Sequence, residues 1–182
     1  AEQIKLGPGL AEDTEMGPLV SDEQLNRVTG YMNSGQESGA TCVTGGKQLG
    51  ENGYFVSPTV IKDASDDMSI VREEIFGPVV TAIPFEDEAD AIALANATDF
   101  GLAGAVWTAD VGRAHRMADA VRAGTFWINS YKAIHVSSPF GGSLNSGFGR
   151  SSGTDALMEY TSAKSVWLDS APKPRIAFGY VS

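Results

Sequence analysis

The sequence predicts an α/β fold with a largely parallel sheet, and three observations support this. Short apolar segments rich in β-branched residues alternate along the chain with segments of helical periodicity. The links between these segments are short, as expected where helices connect neighbouring parallel strands. The apolar fraction of 42% and the charged fraction of 20% are typical of a globular protein, and 182 residues suffice for one packed domain with an extension.

The first half of the chain predicts one helix followed by three strands. Ser21 is expected to cap the helix, Gln24 lies in capping-box register with it, and Gly39 ends the helix. The predicted buried face of this helix consists of Leu25, Val28 and Met32. The three strands are expected at residues 41–44, 54–61 and 79–85, with Pro58 interrupting the second.

The second half predicts two helices, capped by Asp87 and Asp110, each followed by a strand. The first helix covers residues 88–97, and the strands cover residues 103–107 and 125–129. The expected buried stripe of the second helix is Val111, Ala114, Met117, Ala118 and Val121. A helix at residues 154–160, a strand at 165–168 and a tail containing Pro172 and Pro174 complete the chain.

Composition and charge exclude several classes of function. The chain carries 23 acidic and 13 basic residues, a net charge of −10, which disfavours binding to nucleic acid or to anionic membranes. No apolar stretch is long enough for a membrane helix, so a cytoplasmic location is expected. The single Cys42 excludes an intrachain disulfide, and the widely separated His115 and His135 offer no metal-ligand spacing.

An acidic pair next to an aromatic residue is the first candidate ligand-binding motif. Glu73 and Glu74 precede Phe76, and a Gly-Pro turn then leads into the strand predicted at residues 79–85. Ligands of α/β proteins bind at the edges of sheets, where such turns lie. A carboxylate there can accept two hydrogen bonds from a sugar diol, and an aromatic face can lie against a flat ring. The alternative interpretation is a solvated acidic pair beside a core phenylalanine.

Glycine-rich segments are the second set of candidate ligand-binding motifs. Residues 39–48 lack the glycine and the hydroxyl residue that a phosphate-binding loop requires, and residues 147–150 do not follow a strand, as a dinucleotide fingerprint must. Residues 130–153 are rich in glycine and serine without a clear period, and loops this long usually have a function. Phe140 is expected at the tip of this loop, where it either lines a pocket or belongs to an ordinary surface loop.

Five motifs occur in an order that resembles the aldehyde dehydrogenase superfamily over residues 17–166. They are Gly-Tyr-Phe at 53–55 before Pro-Thr-Val at 58–60, Glu-Glu-Ile-Phe-Gly-Pro at 73–78, Phe-Gly-Leu-Ala at 100–103, Ala-Gly-Thr at 123–125 before Asn129, and Pro-Phe-Gly-Gly at 139–142. The resemblance implies a three-layer-type α/β catalytic domain with a C-terminal assembly strand. Residues 1–150 would then be the C-terminal part of the catalytic domain, and residues 151–182 the last helix, the oligomerisation strand and a tail. The dinucleotide-binding domain would be absent from this chain.

The resemblance also implies binding roles for individual residues. Glu74 matches the glutamate that holds the nicotinamide ribose, Phe76 matches the phenylalanine beside the nicotinamide, and Gln24 matches a position near the ribose. Phe140 and Ile134 match positions that line the aldehyde pocket. The implied cofactor is NAD or NADP, and the implied partners are a small aldehyde and further copies of the chain in a dimer or tetramer.

The implied reaction is oxidation of an aldehyde to a carboxylic acid through an activated cysteine, with a glutamate that activates water. In the family both groups lie upstream of the matched stretch, so no catalytic residue is assigned here. Cys42 stands at no catalytic position. Since the chain opens at Ala1 rather than at methionine, we expect a C-terminal fragment. Because the cysteine and the glutamate of the reaction would lie upstream, this fragment is expected to be inactive alone.

Two other interpretations stay open at the level of sequence. One is a fragment of a coenzyme A-acylating semialdehyde dehydrogenase, and the other is a non-catalytic module that binds a partner or assembles. The chain also departs from the family pattern, with Leu144 where a lysine is common and Ser151 where the family has the glutamate of Arg-Glu-x-Gly. Both departures lie near the mouth of the implied active site and bear on substrate range. Asn129, which closes a strand, is expected to have a structural hydrogen-bonding role.

Overall fold

The computed structural model describes residues 1–170, so the predicted tail with Pro172 lies outside the described residues. The helices of the described residues are α1 (Asp22–Glu37), α2 (Ser69–Arg72), α3 (Glu88–Ala95), α4 (Val111–Ala120) and α5 (Ala156–Glu159). The strands are β1 (Thr41–Thr44), β2 (Thr59–Lys62), β3 (Val79–Ala82), β4 (Phe100–Gly101), β5 (Ala103–Val106), β6 (Thr125–Ile128) and β7 (Ser143–Leu144).

Helix α1 forms where the sequence predicts it. The Ser21 hydroxyl accepts a hydrogen bond from the Gln24 backbone N–H at 3.2 Å, which satisfies one of the free donors of the first turn. Gly39, just past the end of the helix, has a φ of +101°, a conformation that favours glycine. The reciprocal half of the capping box is not formed, because the Gln24 side chain donates instead to the backbone of residues 75 and 76.

The main core lies between α1 and a three-stranded sheet of order β1-β2-β3. Strand β2 pairs antiparallel with β1 and parallel with β3. The buried apolar residues of this core are Leu25, Val28, Met32, Ala40, Val56, Ile61, Ile70 and Ile75, which confirms the predicted face of α1. The segment predicted as a strand at residues 54–61 is interrupted at Pro58, as expected, and only the part after Pro58 joins the sheet. Pro58 has no N–H to give to a ladder, so β2 starts at Thr59 and Val56 makes only an isolated bridge with Gln48.

The second half contains a parallel pair, β5 and β6, connected by α4, and an antiparallel pair, β4 and β7. Within residues 1–170 the two parallel pairs therefore belong to separate small sheets rather than to one continuous sheet. In α4, Ala114 is buried and Met117, Ala118 and Val121 are half-buried, as predicted. Val111 is 70% exposed, so its assignment to the buried stripe is wrong. Helical side chains tilt toward the N-terminus, and that of the first residue projects past the packed surface.

Glu88 joins α3 to α4 by an ion-pair cluster on the surface. Its carboxylate accepts from Arg116 Nε at 2.6 Å and Nη2 at 2.7 Å, and from Arg113 Nε at 3.3 Å. The hydrogen bonds from Arg116, with a smaller contribution from Arg113, lower the pKa of Glu88 from its ordinary 4.5 to about 2. The carboxylate therefore stabilises the fold only where it is ionised.

We expect Glu88→Gln to lower the free energy of unfolding at neutral pH. Since the folded-state pKa is depressed, the contribution is present above pH 4.5 and is lost as the pH falls toward about 2. Urea denaturation of both proteins over this range should show two curves that converge on acidification. Glu37→Gln, which removes an exposed acid without a hydrogen-bond or ion-pair partner in the described residues, is the matched control. A Glu88→Gln difference that stays constant with pH would contradict the assignment.

The chain end departs from the prediction. Helix α5 is confined to Ala156–Glu159, shorter than predicted. Residues 165–168 are in no strand within the described chain, and the strand that they are predicted to form at an assembly contact stays a prediction. A strand requires a neighbour for its backbone groups, and no other strand of residues 1–170 lies beside this segment. The side chains of Val166, Trp167 and Leu168 are 79%, 89% and 90% exposed. No helix in the described part of the chain is long and apolar enough to cross a membrane.

Candidate cofactor and aldehyde site

The acidic pair lies on a short connection, residues 73–77, between α2 and β3, which we call the acidic loop. Phe76 has a φ of +57°, a left-handed conformation that is unusual for an aromatic residue, and its side chain is 71% exposed. Gly77 lies so close to Val28 of α1 that a Cβ atom would overlap the valine side chain. The interpretation of Phe76 as a core residue is therefore wrong, and the loop displays its ring at the surface.

Three side chains on one face of α1 hold the acidic loop: Gln24, Arg27 and Tyr31. Their spacing of three and four residues places them in line along the helix. Gln24 Nε2 donates to the carbonyl oxygens of Phe76 at 2.7 Å and Ile75 at 3.2 Å. Gln24, which the sequence placed near the cofactor, therefore contacts the same loop as Glu74 and Phe76.

The contacts of Arg27 and Tyr31 involve the main chain of one glutamate and the side chain of the other. Arg27 Nη2 donates to the main-chain carbonyl of Glu74 at 2.9 Å. The Tyr31 hydroxyl donates to the Glu73 carboxylate at 2.6 Å. This hydrogen bond, together with burial, raises the pKa of Tyr31, and the nearby Arg27 partly offsets the effect. Glu73 is thus occupied by a partner within the protein.

The Glu74 carboxylate has no hydrogen-bond or ion-pair partner among residues 1–170. Glu74 is half-buried and lines a cleft of about 180 Å³, whose other walls are formed mainly by residues 100–103 and 121–123. Pockets for complete small ligands usually measure about 300–1,000 Å³, so this cleft suits one part of a larger ligand. A free carboxylate with an exposed aromatic ring two residues away fits the diol and the flat ring of a nicotinamide riboside.

Phe140 and Ile134 lie on the glycine- and serine-rich loop of residues 130–153, and no hydrogen bond joins either of them to the acidic loop. Phe140 is not at a free tip, as the sequence suggested, because its N–H and C=O both hydrogen-bond with Ser151 at 2.7 Å. Its side chain is half-buried, whereas that of Ile134 is 62% exposed. Ser151, at a position where the chain departs from the family pattern, forms this bridge with its main chain.

Several anchors hold this loop, and sequence reasoning missed all of them except Asn129. Trp127 Nε1 donates to the carbonyl of Ala133 at 2.8 Å, next to Ile134, and Tyr131 packs edge-on against Trp127 with ring centroids 5.5 Å apart. Asn129 Oδ1 accepts from the Thr108 N–H at 2.8 Å and its Nδ2 donates to the Thr108 carbonyl at 2.9 Å, the structural role expected of it.

The other anchors lie closer to the Gly-Gly of the motif. Arg150 Nη1 donates to the Gly142 carbonyl at 2.6 Å. Gly124 lies against the main chain of Gly141, where a Cβ atom would overlap the carbonyl. Leu144, with a φ of +55°, pairs with Phe100 in the β4–β7 ladder. The loop is therefore built against the sheet rather than free.

Cys42 lies outside the acidic loop and the loop of residues 130–153. Cys42 is half-buried in β1, where its thiol contacts the Thr44 carbonyl at 3.3 Å. The part of the chain that the structure describes contains no group of three or more histidine, cysteine or acidic residues arranged to hold a metal ion.

The fold and the acidic loop define an α/β protein with a glutamate, Glu74, whose carboxylate has no hydrogen-bond or ion-pair partner among residues 1–170 and which lines a cleft. Residues 1–166 match the model of the aldehyde dehydrogenase family, and the chain belongs to this family. It is 50% identical over 169 residues to the putative aldehyde dehydrogenase DhaS of Bacillus subtilis, covering 93% of this chain and 34% of that protein. It is 47% identical to the betaine aldehyde dehydrogenase of Rhizobium leguminosarum, covering 94% of this chain and 36% of that protein.

Solved structures agree with this assignment. The NAD+ complex of an aldehyde dehydrogenase from Bacillus cereus superposes with a TM-score of 0.89 at 48% identity, covering 94% of this chain and 35% of that one. The NAD+ complex of betaine aldehyde dehydrogenase from Staphylococcus aureus gives a TM-score of 0.83 at 45% identity, covering 87% of this chain and 32% of that one. The α/β fold of this family is thereby confirmed. The chain spans about a third of the length of these relatives.

Proposed function

We propose that this chain is the C-terminal part of a longer NAD(P)-dependent aldehyde dehydrogenase, which oxidises a small aldehyde to a carboxylic acid. The observation that carries the proposal is the Glu74 carboxylate, which is held on an anchored loop and has no partner among the described residues. The two NAD+ complexes described above, from Bacillus cereus and Staphylococcus aureus, support a nicotinamide cofactor. Within the chain, residues 1–150 would complete the catalytic domain, and residues 151–182 would supply the last helix, the assembly strand and the tail.

In this proposal Glu74 accepts hydrogen bonds from the hydroxyls of the nicotinamide ribose, and the exposed ring of Phe76 packs beside the nicotinamide. Gln24 contributes in two ways. Its Nε2 atom holds the acidic loop, and its Oε1 atom remains available to accept a hydrogen bond from the ribose. The bound cofactor supplies the hydride acceptor for oxidation of the aldehyde. The residues of this chain fix its position, which matters because hydride transfer depends strongly on geometry.

Phe140 and Ile134 are proposed to line the aldehyde pocket. The anchors at Trp127 and Ser151 support this role, because they hold both residues on a fixed backbone while leaving the Ile134 side chain largely exposed. The cysteine that attacks the aldehyde and the glutamate that activates water are proposed to lie in the upstream part of the enzyme. A cytoplasmic location and the lack of nucleic-acid and membrane partners belong to the same proposal, and the net charge of −10 supports the last two.

Activity measurements on two proteins test this function. The longer enzyme that contains this chain should reduce NAD+ or NADP+ when an aldehyde is added, without coenzyme A. The 182-residue chain alone should show no aldehyde-dependent NADH or NADPH formation, because it lacks an assigned nucleophile. Aldehyde-dependent reduction of NAD+ or NADP+ by the purified chain would contradict the proposal that the catalytic cysteine and glutamate lie upstream of it. A strict requirement for coenzyme A in the longer enzyme would instead identify an acylating semialdehyde dehydrogenase.

A further inference from the structure

The acidic loop contains two adjacent glutamates, Glu73 and Glu74, and contacts within the protein determine which of them faces the cleft. Glu73 is extended, with φ −111° and ψ 159°. Consecutive side chains of an extended segment point to opposite sides. A contact that holds Glu73 on one side therefore directs the Glu74 side chain to the other side.

Tyr31 makes that contact. Its hydroxyl donates to Glu73 Oε2 at 2.6 Å, so the Glu73 carboxylate is drawn toward α1. Glu74, and not Glu73, is among the residues that line the cleft formed with residues 100–103 and 121–123. Short hydrogen bonds to a charged acceptor are about twice as strong as neutral ones, so this contact discriminates between the two orientations.

Arg27 reinforces the same arrangement. Its Nη2 atom donates to the Glu74 carbonyl at 2.9 Å and contacts the Tyr31 hydroxyl at 3.4 Å. The Arg27 guanidinium also lies over the Tyr31 ring, 5.5 Å from the ring centroid. One arginine thus orients the peptide of Glu74 and restrains the tyrosine that holds Glu73.

We propose that Arg27 and Tyr31 are positioning residues that select Glu74, rather than Glu73, as the carboxylate presented to the cofactor ribose. This inference rests on the proposed function, because it assumes that Glu74 binds the ribose. Neither residue touches the cofactor in this account. Tyr31 acts through Glu73 and Arg27 acts through the Glu74 backbone.

A double-mutant cycle in the longer enzyme tests the inference, with the dissociation constant of the nicotinamide cofactor as the readout. Tyr31→Phe removes the hydrogen bond and keeps the ring, and it should raise the dissociation constant about threefold to tenfold. The KM for the aldehyde and the melting temperature should change little. In a Glu74→Gln background, Tyr31→Phe should have no further effect on cofactor binding, because the residue through which it acts is already lost.

Matched variants complete the experiment. Arg27→Met should weaken cofactor binding in the same way, whereas Asn33→Ala, on an exposed part of α1 away from the acidic loop, should not. Glu73→Gln keeps a hydrogen-bond acceptor for Tyr31 and should impair binding less than Glu73→Ala does.

The inference is overturned if Tyr31→Phe leaves the dissociation constant unchanged, or if it weakens binding equally in the Glu74→Gln background. A lower melting temperature with unchanged cofactor binding would show a purely structural role and overturn it as well. If Glu74→Gln itself has no effect, the ribose contact of the proposed function fails. If Glu74→Gln weakens binding but Tyr31→Phe does not, only the positioning role fails.

Discussion

Replacing Glu74 by glutamine in the longer enzyme is expected to lower kcat/KM about tenfold to a hundredfold, because a charge-assisted hydrogen bond to a hydroxyl contributes about 1.5–3 kcal/mol. Looser placement of the nicotinamide adds a loss in turnover, since hydride transfer requires close alignment. The fold should be unaffected. The Glu74 carboxylate has no hydrogen-bond or ion-pair partner among residues 1–170, so the substitution breaks no hydrogen bond or ion pair within that part of the chain.

Steady-state kinetics with NAD+ and with NADP+, together with melting temperatures, measure this effect. Glu51→Gln is the control, because Glu51 is an exposed acid in the turn between β1 and β2. Wild-type kinetics for Glu74→Gln with both cofactors would show that Glu74 is only a solvated acid.

Deleting residues from Ser165 onward is expected to reduce the longer enzyme from an oligomer to a smaller species. In a strand, Val166 and Leu168 would point to one side and Trp167 to the other, and all three are largely exposed in the described chain. An exposed apolar segment without a neighbouring strand favours pairing with another copy of the protein. We therefore propose that residues 165–168 form their strand only against the sheet of a second subunit, with Trp167 partly buried at the contact.

Light scattering measures the mass of the truncated protein, and a melting curve measures its stability. The matched control deletes only residues 171–182 and keeps the apolar segment. We expect this control to retain the mass of the parent. If the truncation at Ser165 also retains the parent mass and melting temperature, the segment is a solvated end and has no role in assembly.

The parts of the fold that were predicted from sequence have local causes. The cap at Ser21, the stop at Gly39 and the apolar spacing of α1 act over a few residues, and the structure confirms them. Asp87 and Asp110 likewise cap α3 and α4 through their carboxylates, as predicted. Each of these signals lies within one helix or the residues that flank it, so no knowledge of the tertiary structure is needed.

The missed elements depend on distant contacts. Strands β4 and β7 are two residues long and pair Phe100 with Leu144 and Gly101 with Ser143, far apart in sequence, so neither has a pattern of its own. Helix α2 has four residues and no side-chain cap, and Ile70 is buried against Gly35 of α1. Residues 165–168 have the composition of a strand, but a strand forms only where a neighbour is available.

In the candidate site, too, some features have local sequence signals and others depend on distant contacts. The motif singled out Glu74 and Phe76 as a carboxylate and a ring, and helical spacing from Gln24 could have identified Arg27 and Tyr31 as members of one face. Sequence alone could not distinguish the two glutamates of the acidic loop, because both are adjacent, acidic and next to the same turn. The distinction comes from Tyr31, which lies 42 residues before Glu73 in the sequence.

A crystal structure of the longer enzyme with its nicotinamide cofactor tests the central claim most directly. The measured quantities are the distances from the Glu74 carboxylate oxygens to the hydroxyls of the nicotinamide ribose. We predict that at least one oxygen lies within about 2.5–3.0 Å of a ribose hydroxyl, while Glu73 remains bonded to Tyr31. A nicotinamide ribose that is held by other residues, with Glu74 directed to solvent, would contradict the account.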